Sequence, residues 1–99
     1  MKAPRKTKGP NSFAAEIGGR LRLVREATGE TSASFAGRIG VSPQRYNNWE
    51  TGDVVLPPEF VLIIFRELRV DADFLYLGDP SRLPGDLRDR IRPQLPVRA

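Results

Sequence analysis

Between Gly40 and Gly52 the chain reads Gly-Val-Ser-Pro-Gln-Arg-Tyr-Asn-Asn-Trp-Glu-Thr-Gly, a stretch that encodes a turn, a capped short helix and a helix stop. Ser42 suits the N-cap, because its hydroxyl can accept a hydrogen bond from a free backbone N–H one turn on. Pro43 follows at the first helical position, where a missing N–H costs nothing. Tyr46 and Trp49 stand three apart and are expected to face inward, with Val41 packing just before the helix. Gln44, Arg45, Asn47 and Asn48 are left on the outer side. Gln, Arg and Asn are side chains that can pair with base edges through two hydrogen bonds at once. The spacing therefore predicts a helix able to read DNA; the alternative is a merely solvated polar face.

The preceding residues extend the pattern. Thr31 to Ile39 reads as a short helix capped by Thr31, with Phe35, Ala36 and Ile39 on its inner side. Gly40 then stands where a tight turn needs positive φ. Two short helices joined by such a turn make a helix-turn-helix. From Ile17 to about Gly78 the chain resembles the Cro/C1-type (XRE, lambda-repressor-like) helix-turn-helix family of phage and bacterial repressors, and more distantly antitoxins of that fold. Arg25 and Glu50 match the family's internal ion pair. Ala36 and Gly40 match its small packing residues, and Trp49-Glu50-Thr51-Gly52 its aromatic-Glu-x-Gly ending. Leu68 to Leu75 resembles its closing segment.

The resemblance implies an all-α, compact five-helix DNA-binding domain with the helix-turn-helix at helices 2 and 3. Gln44, Arg45 and Asn48, with Asn47 beside them, are the expected base contacts in the major groove. Ser32, Ser42 and Thr51 are expected to bond phosphates, fixing position without reading sequence. The chain departs from the family twice. Ser32 stands where Gln is usual, and Asp53-Val54-Val55-Leu56 carries an acid where a base is common.

Composition narrows the function classes. The chain has no cysteine and no histidine, which removes disulfides, Cys-based zinc sites and the commonest general base. No run of 18 apolar residues is present to span a membrane. The expectation is a cytoplasmic protein that is not an enzyme, with no cofactor, no metal and no small-molecule ligand. The net charge of +4 matches the first ten residues alone, where Lys2, Arg5, Lys6 and Lys8 meet no acid. Residues 1–11 are thus expected to form a flexible basic arm, with Arg5, Lys6 and Lys8 on DNA phosphates or in a minor groove. A solvated tail is the alternative.

Residues 12–78 are expected to form the domain. Asn11 or Ser12 caps a first helix over about 13–28, in which Phe13, Ile17, Leu21 and Val24 recur at helical spacing. Later helices are expected at about 32–39, 43–50, 58–69 and 72–77. Residues 79–99 read as a Pro-rich tail in which Leu83, Leu87 and Ile91 can form one or two docking turns. Phe60-Val-Leu-Ile-Ile-Phe65 is apolar all round, whereas a helix covering one core needs only a stripe. The resembled family tends to be polar at the position of Ile63, so the resemblance marks Ile63, with Phe60 on the same side, as the surplus face, expected to serve as a dimer or partner surface or to be covered by the tail. The functional expectation is a sequence-specific transcriptional regulator, a repressor binding a palindromic operator in double-stranded DNA as a homodimer. The rival is a protein-interaction module on the same fold, an antitoxin or antiactivator with a protein partner.

Overall fold

In the computed structural model, which describes residues 10–95, caps and glycines divide the chain into six α-helices: α1 (Pro10–Thr28), α2 (Ser32–Ile39), α3 (Pro43–Thr51), α4 (Pro58–Leu68), α5 (Ala72–Leu77) and α6 (Gly85–Ile91). The breaks have local causes. Thr31, Ser42 and Asp71 each accept the backbone N–H three residues on, from Ser34, Arg45 and Phe74 respectively. Gly40 and Gly52 close α2 and α3 in the left-handed region, at φ 85° and 87°, where a Cβ would be strained. At the end of α4 the left-handed residue is Arg69, not a glycine, at φ 64°; its guanidinium lies over the Phe65 ring, 5.2 Å from the centroid.

The first helix begins earlier than its spacing predicts, at Pro10 and not near residue 13, so Asn11 and Ser12 fall inside it and do not cap it. A proline is tolerated in a first turn because its missing N–H has no partner to lose there. From Ile17 on, Leu21 and Val24 point into a core that also takes Phe35, Ala36 and Ile39 of α2, Tyr46 and Trp49 of α3, Leu56, Ile64, Val70, and Phe74 and Leu75 of α5.

The tail segment is also part of this core. Leu83, Leu87 and Ile91 are buried, and α6 lies against α1. The Arg90 guanidinium donates to the Ala27 carbonyl at 2.8 Å, using a carbonyl that the end of α1 leaves free. Of the two alternatives for the surplus face of α4, a partner surface or cover by this segment, the second is not the one formed, since the segment packs on α1. Leu83, Leu87 and Ile91 offer one apolar stripe, and α1 receives it. On α4 itself Phe60 and Ile63 are half-buried against the core, and Leu62 is the outward residue, 48% exposed. Leu62, Val61, Phe65, Pro58 and Tyr76 line a shallow, nearly all-apolar groove of about 310 Å³ between α4 and α5.

Candidate nucleic-acid interface

Helix α3 is fixed on its inner side by aromatic packing. Tyr46 and Trp49 are buried, their ring centroids 6.1 Å apart. Phe35 of α2 lies 5.6 Å from Tyr46, and Phe60 of α4 lies 4.9 Å from Trp49. These contacts couple α3 to both neighbouring helices.

Its C-terminal end is held by α1 through charge. Arg25 donates from Nε to Glu50 Oε2 at 2.8 Å and from Nη2 to Oε1 at 3.2 Å, a two-point fork. Tyr46 donates its hydroxyl to Glu50 Oε2 at 2.5 Å, and Arg25 Nη1 donates to the Glu30 carbonyl at 3.0 Å. The pair is mostly withdrawn from water, with 15% and 11% of the two side chains exposed. Hydrogen bonding to Glu50 raises the Arg25 pKa above its ordinary value, against the burial that lowers it. The ion pair that the resemblance implies is therefore formed, and Tyr46 is its third member.

Burial, and then the bond to the Glu50 carboxylate, push the Tyr46 phenol upward from its ordinary value of 10.0. The unfolded chain therefore loses this proton first. Tyr46 contributes fully to stability below pH 10.0, and its contribution is lost as pH rises beyond that value. Tyr46→Phe should cost about 1.5 kcal/mol at pH 8, the low end for a bond to a charged group, because Arg25 still satisfies Glu50. Above pH 10 the wild-type protein should lose about 1.4 kcal/mol per pH unit relative to Tyr46→Phe. Urea unfolding of both proteins from pH 8 to 11 measures this; a gap that stays constant would show that the phenol is not shifted.

Backbone contact reinforces the α1–α3 junction at a residue the sequence did not single out. A Cβ built on Gly18 would lie 2.3 Å from the Trp49 carbonyl oxygen and 2.5 Å from that of Glu50. One built on Gly52 would lie 2.7 Å from the Ala15 Cα. Only glycine lets the two helices approach this closely. Elsewhere on α1, Arg20 donates to the Leu75 and Tyr76 carbonyls, both at 2.9 Å, closing the end of α5. Burial lowers the Arg20 pKa.

The outer face of α3 carries Gln44, Asn47 and Thr51, all exposed, with Asn48 half-buried among them. Ser42 accepts the Arg45 N–H at 3.2 Å and keeps its own hydroxyl hydrogen for another acceptor. Thr51 donates its hydroxyl to the Asn48 carbonyl at 3.3 Å, so its oxygen lies close to the helix. Ser32, the first residue of α2, is half-buried. Arg45 does not extend with Gln44 and Asn48. It folds back so that its Cζ lies 5.5 Å from the Trp49 ring centroid and 5.2 Å from that of Phe60. Arg5, Lys6 and Lys8 lie outside the described residues.

Residues 16–91 match the model of a helix-turn-helix domain family. The chain belongs to that helix-turn-helix family and so to the general class of DNA-binding regulators. No curated protein and no solved structure matches it. Among the described residues no helix is long and apolar enough to cross a membrane.

Proposed function

We propose that the protein is a sequence-specific transcriptional regulator, a repressor that binds a two-fold-symmetric operator as a homodimer with α3 in the major groove. The observation that carries this reading is the division of α3 into two faces. Tyr46 and Trp49 are locked into the core and Glu50 is tied to α1, while Gln44, Asn47 and Asn48 are turned outward with side chains that suit base edges. A helix held this firmly presents its outer side chains in one register. Gln44 and Asn48, one turn apart, are the base contacts of this reading, with Asn47 at their edge. A Gln or Asn pairs with adenine through two hydrogen bonds, each such pair discriminating by about 1–3 kcal/mol. Ser42 and Ser32 take phosphates at the helix starts, and Thr51 does so by turning its hydroxyl away from the Asn48 carbonyl, together with Arg5, Lys6 and Lys8 of the N-terminal segment.

Repression follows from the resemblance to phage repressors. Dimerisation follows from size: a single module of this kind buries only about 600–1,000 Å² on DNA, and two half-sites one helical turn apart supply the rest. The reading takes the apolar α4–α5 groove around Leu62 as the contact between copies. One observation favours the rival reading of a protein-binding module: Asp53, Val54 and Val55 follow the Gly52 cap of α3 and are exposed, an acid and two apolar side chains where DNA binding favours a base.

Selection from a randomised DNA duplex pool tests the two readings, with Gln44→Ala/Asn48→Ala as control. The expected result is a two-fold-symmetric enriched site, bound at two chains per duplex, whose preference is lost in the control while its fold is kept. An asymmetric site bound by one chain would remove the dimer. No enrichment at low salt, where phosphate contacts are strongest, would transfer the case to a protein partner.

A further inference from the structure

Of the four α3 side chains expected to meet bases, Arg45 is the one that folds back onto neighbouring rings. It is exposed, and among the described residues no acid or carbonyl takes its guanidinium. It rests instead on two rings from different helices, Trp49 of α3 and Phe60 of α4, which themselves touch at 4.9 Å between centroids. A guanidinium resting over aromatic rings, without an acid or carbonyl partner, keeps its N–H donors available, and the two rings limit where the group can go. Helical spacing puts Arg45 in line with Trp49 four residues on, at the flank of α3 nearest α4. Gln44, Asn48 and Thr51 lie on the face opposite Tyr46.

This flank position decides what Arg45 meets on DNA. An α-helix with its side chains is about 10–12 Å across, and the major groove is about 12 Å wide, so a docked helix fills it. The central outer face then meets the base edges, while each flank meets a wall of phosphates. For Arg45 to reach a base it must leave both rings, whereas the wall lies on the flank where it already rests.

The geometry points to Arg45 as a phosphate clamp pre-set by Trp49 and Phe60, a role that rests on the DNA-binding reading above. The clamp supplies, from α3 and α4, the backbone contact that the Asp53–Leu56 loop is unable to give. Base discrimination is left to Gln44 and Asn48. Phe60 acts as a positioning residue through Arg45, since its ring lies under the guanidinium and holds it on that flank.

Salt titrations separate a phosphate contact from a base contact. The probes are the duplex enriched by selection and an unrelated duplex of equal length, bound by the wild-type protein, Arg45→Gln, Gln44→Ala and Phe60→Leu. Arg45→Gln is expected to weaken binding to both duplexes by the same factor. It should also reduce the slope of log affinity against log salt by about 0.9, the value for one phosphate contact. Gln44→Ala is expected to leave the slope unchanged and to narrow the gap between the duplexes. Phe60→Leu, which keeps the charge and removes one ring, should preserve the slope and lower affinity for both duplexes about two- to five-fold. Circular dichroism checks that each variant keeps its helices. If Arg45→Gln leaves the slope intact but narrows the gap between duplexes, Arg45 reads a base and the clamp is overturned. If it changes neither slope nor affinity while the wild-type protein binds, Arg45 does not touch DNA. If the wild-type protein binds neither duplex at low salt, the DNA-binding reading fails and the clamp with it.

Discussion

Glu50→Ala should lower the unfolding free energy by about 2–4 kcal/mol, because removing one member of a largely buried ion pair leaves the other charge without compensation. Arg25 loses both arms of its fork to Glu50 and keeps only the bond to the Glu30 carbonyl. Tyr46 loses the acceptor of a buried hydroxyl at the same time. The pair is not wholly dry, with 15% of Arg25 exposed, so the cost falls below that of a fully enclosed pair. For a domain of this size each kcal/mol moves the melting temperature by roughly 4–8 °C, so a fall of about 10 °C or more is expected. The double variant Arg25→Ala/Glu50→Ala should be less destabilised than the sum of the two single variants, since no charge is then stranded. Denaturant unfolding of the four proteins completes the cycle. Additive single effects would show the pair to be a surface contact of little consequence, and α3 would then owe its position to aromatic packing and to the close approach of α1 at Gly18.

The parts of this molecule legible in the sequence are those decided by near neighbours. Thr31, Ser42 and Asp71 stand one turn before the N–H groups they cap, and Gly40 and Gly52 stand where a chain reversal needs a left-handed residue. Helices α2, α3 and α5 are therefore found where those signals put them. The Arg25–Glu50 pair is visible only through the resemblance to a family, because nothing local links two residues on different helices. Arg45 shows the limit more sharply. Its residue type suits guanine, but its conformation depends on Phe60, which α4 brings beside Trp49. The same holds for α4, where every residue from Phe60 to Phe65 is apolar and the pattern carries no phase. The helices packed around it turn Leu62, and not Ile63, to the outside. In the tail the stripe of Leu83, Leu87 and Ile91 is visible, but the choice of α1 over α4 as its partner follows from the assembled core.

Two adjacent glycines in α1 should respond in opposite directions to the same substitution. In an isolated helix Gly→Ala is favourable by about 0.8–1.0 kcal/mol, since alanine restricts the unfolded backbone and suits the helix. At Gly19 nothing lies within 4 Å of the added Cβ, so Gly19→Ala should be stabilising by about that amount. At Gly18 the same methyl would meet the Trp49 and Glu50 carbonyl oxygens at 2.3 and 2.5 Å. Those atoms are backbone near the end of α3, and they can retreat only if the helix does, by about 1 Å to reach an ordinary contact distance. That movement pulls Trp49 from its ring contacts and Glu50 from Arg25. The overpacking cost of about 1–3 kcal/mol or more is therefore joined by losses at the ion pair, and Gly18→Ala should be destabilising by about 2–4 kcal/mol despite its better helix propensity. Thermal melts of the two variants read the difference directly. DNA binding supplies an independent check: Gly19→Ala should match the wild-type protein. Gly18→Ala should bind more weakly even at temperatures where it remains folded, because, on the proposed reading, α3 is displaced from the register α1 otherwise imposes. Equal melting behaviour in the two variants would mean that α1 and α3 can slide apart without penalty, and the junction would no longer explain how α3 is aimed.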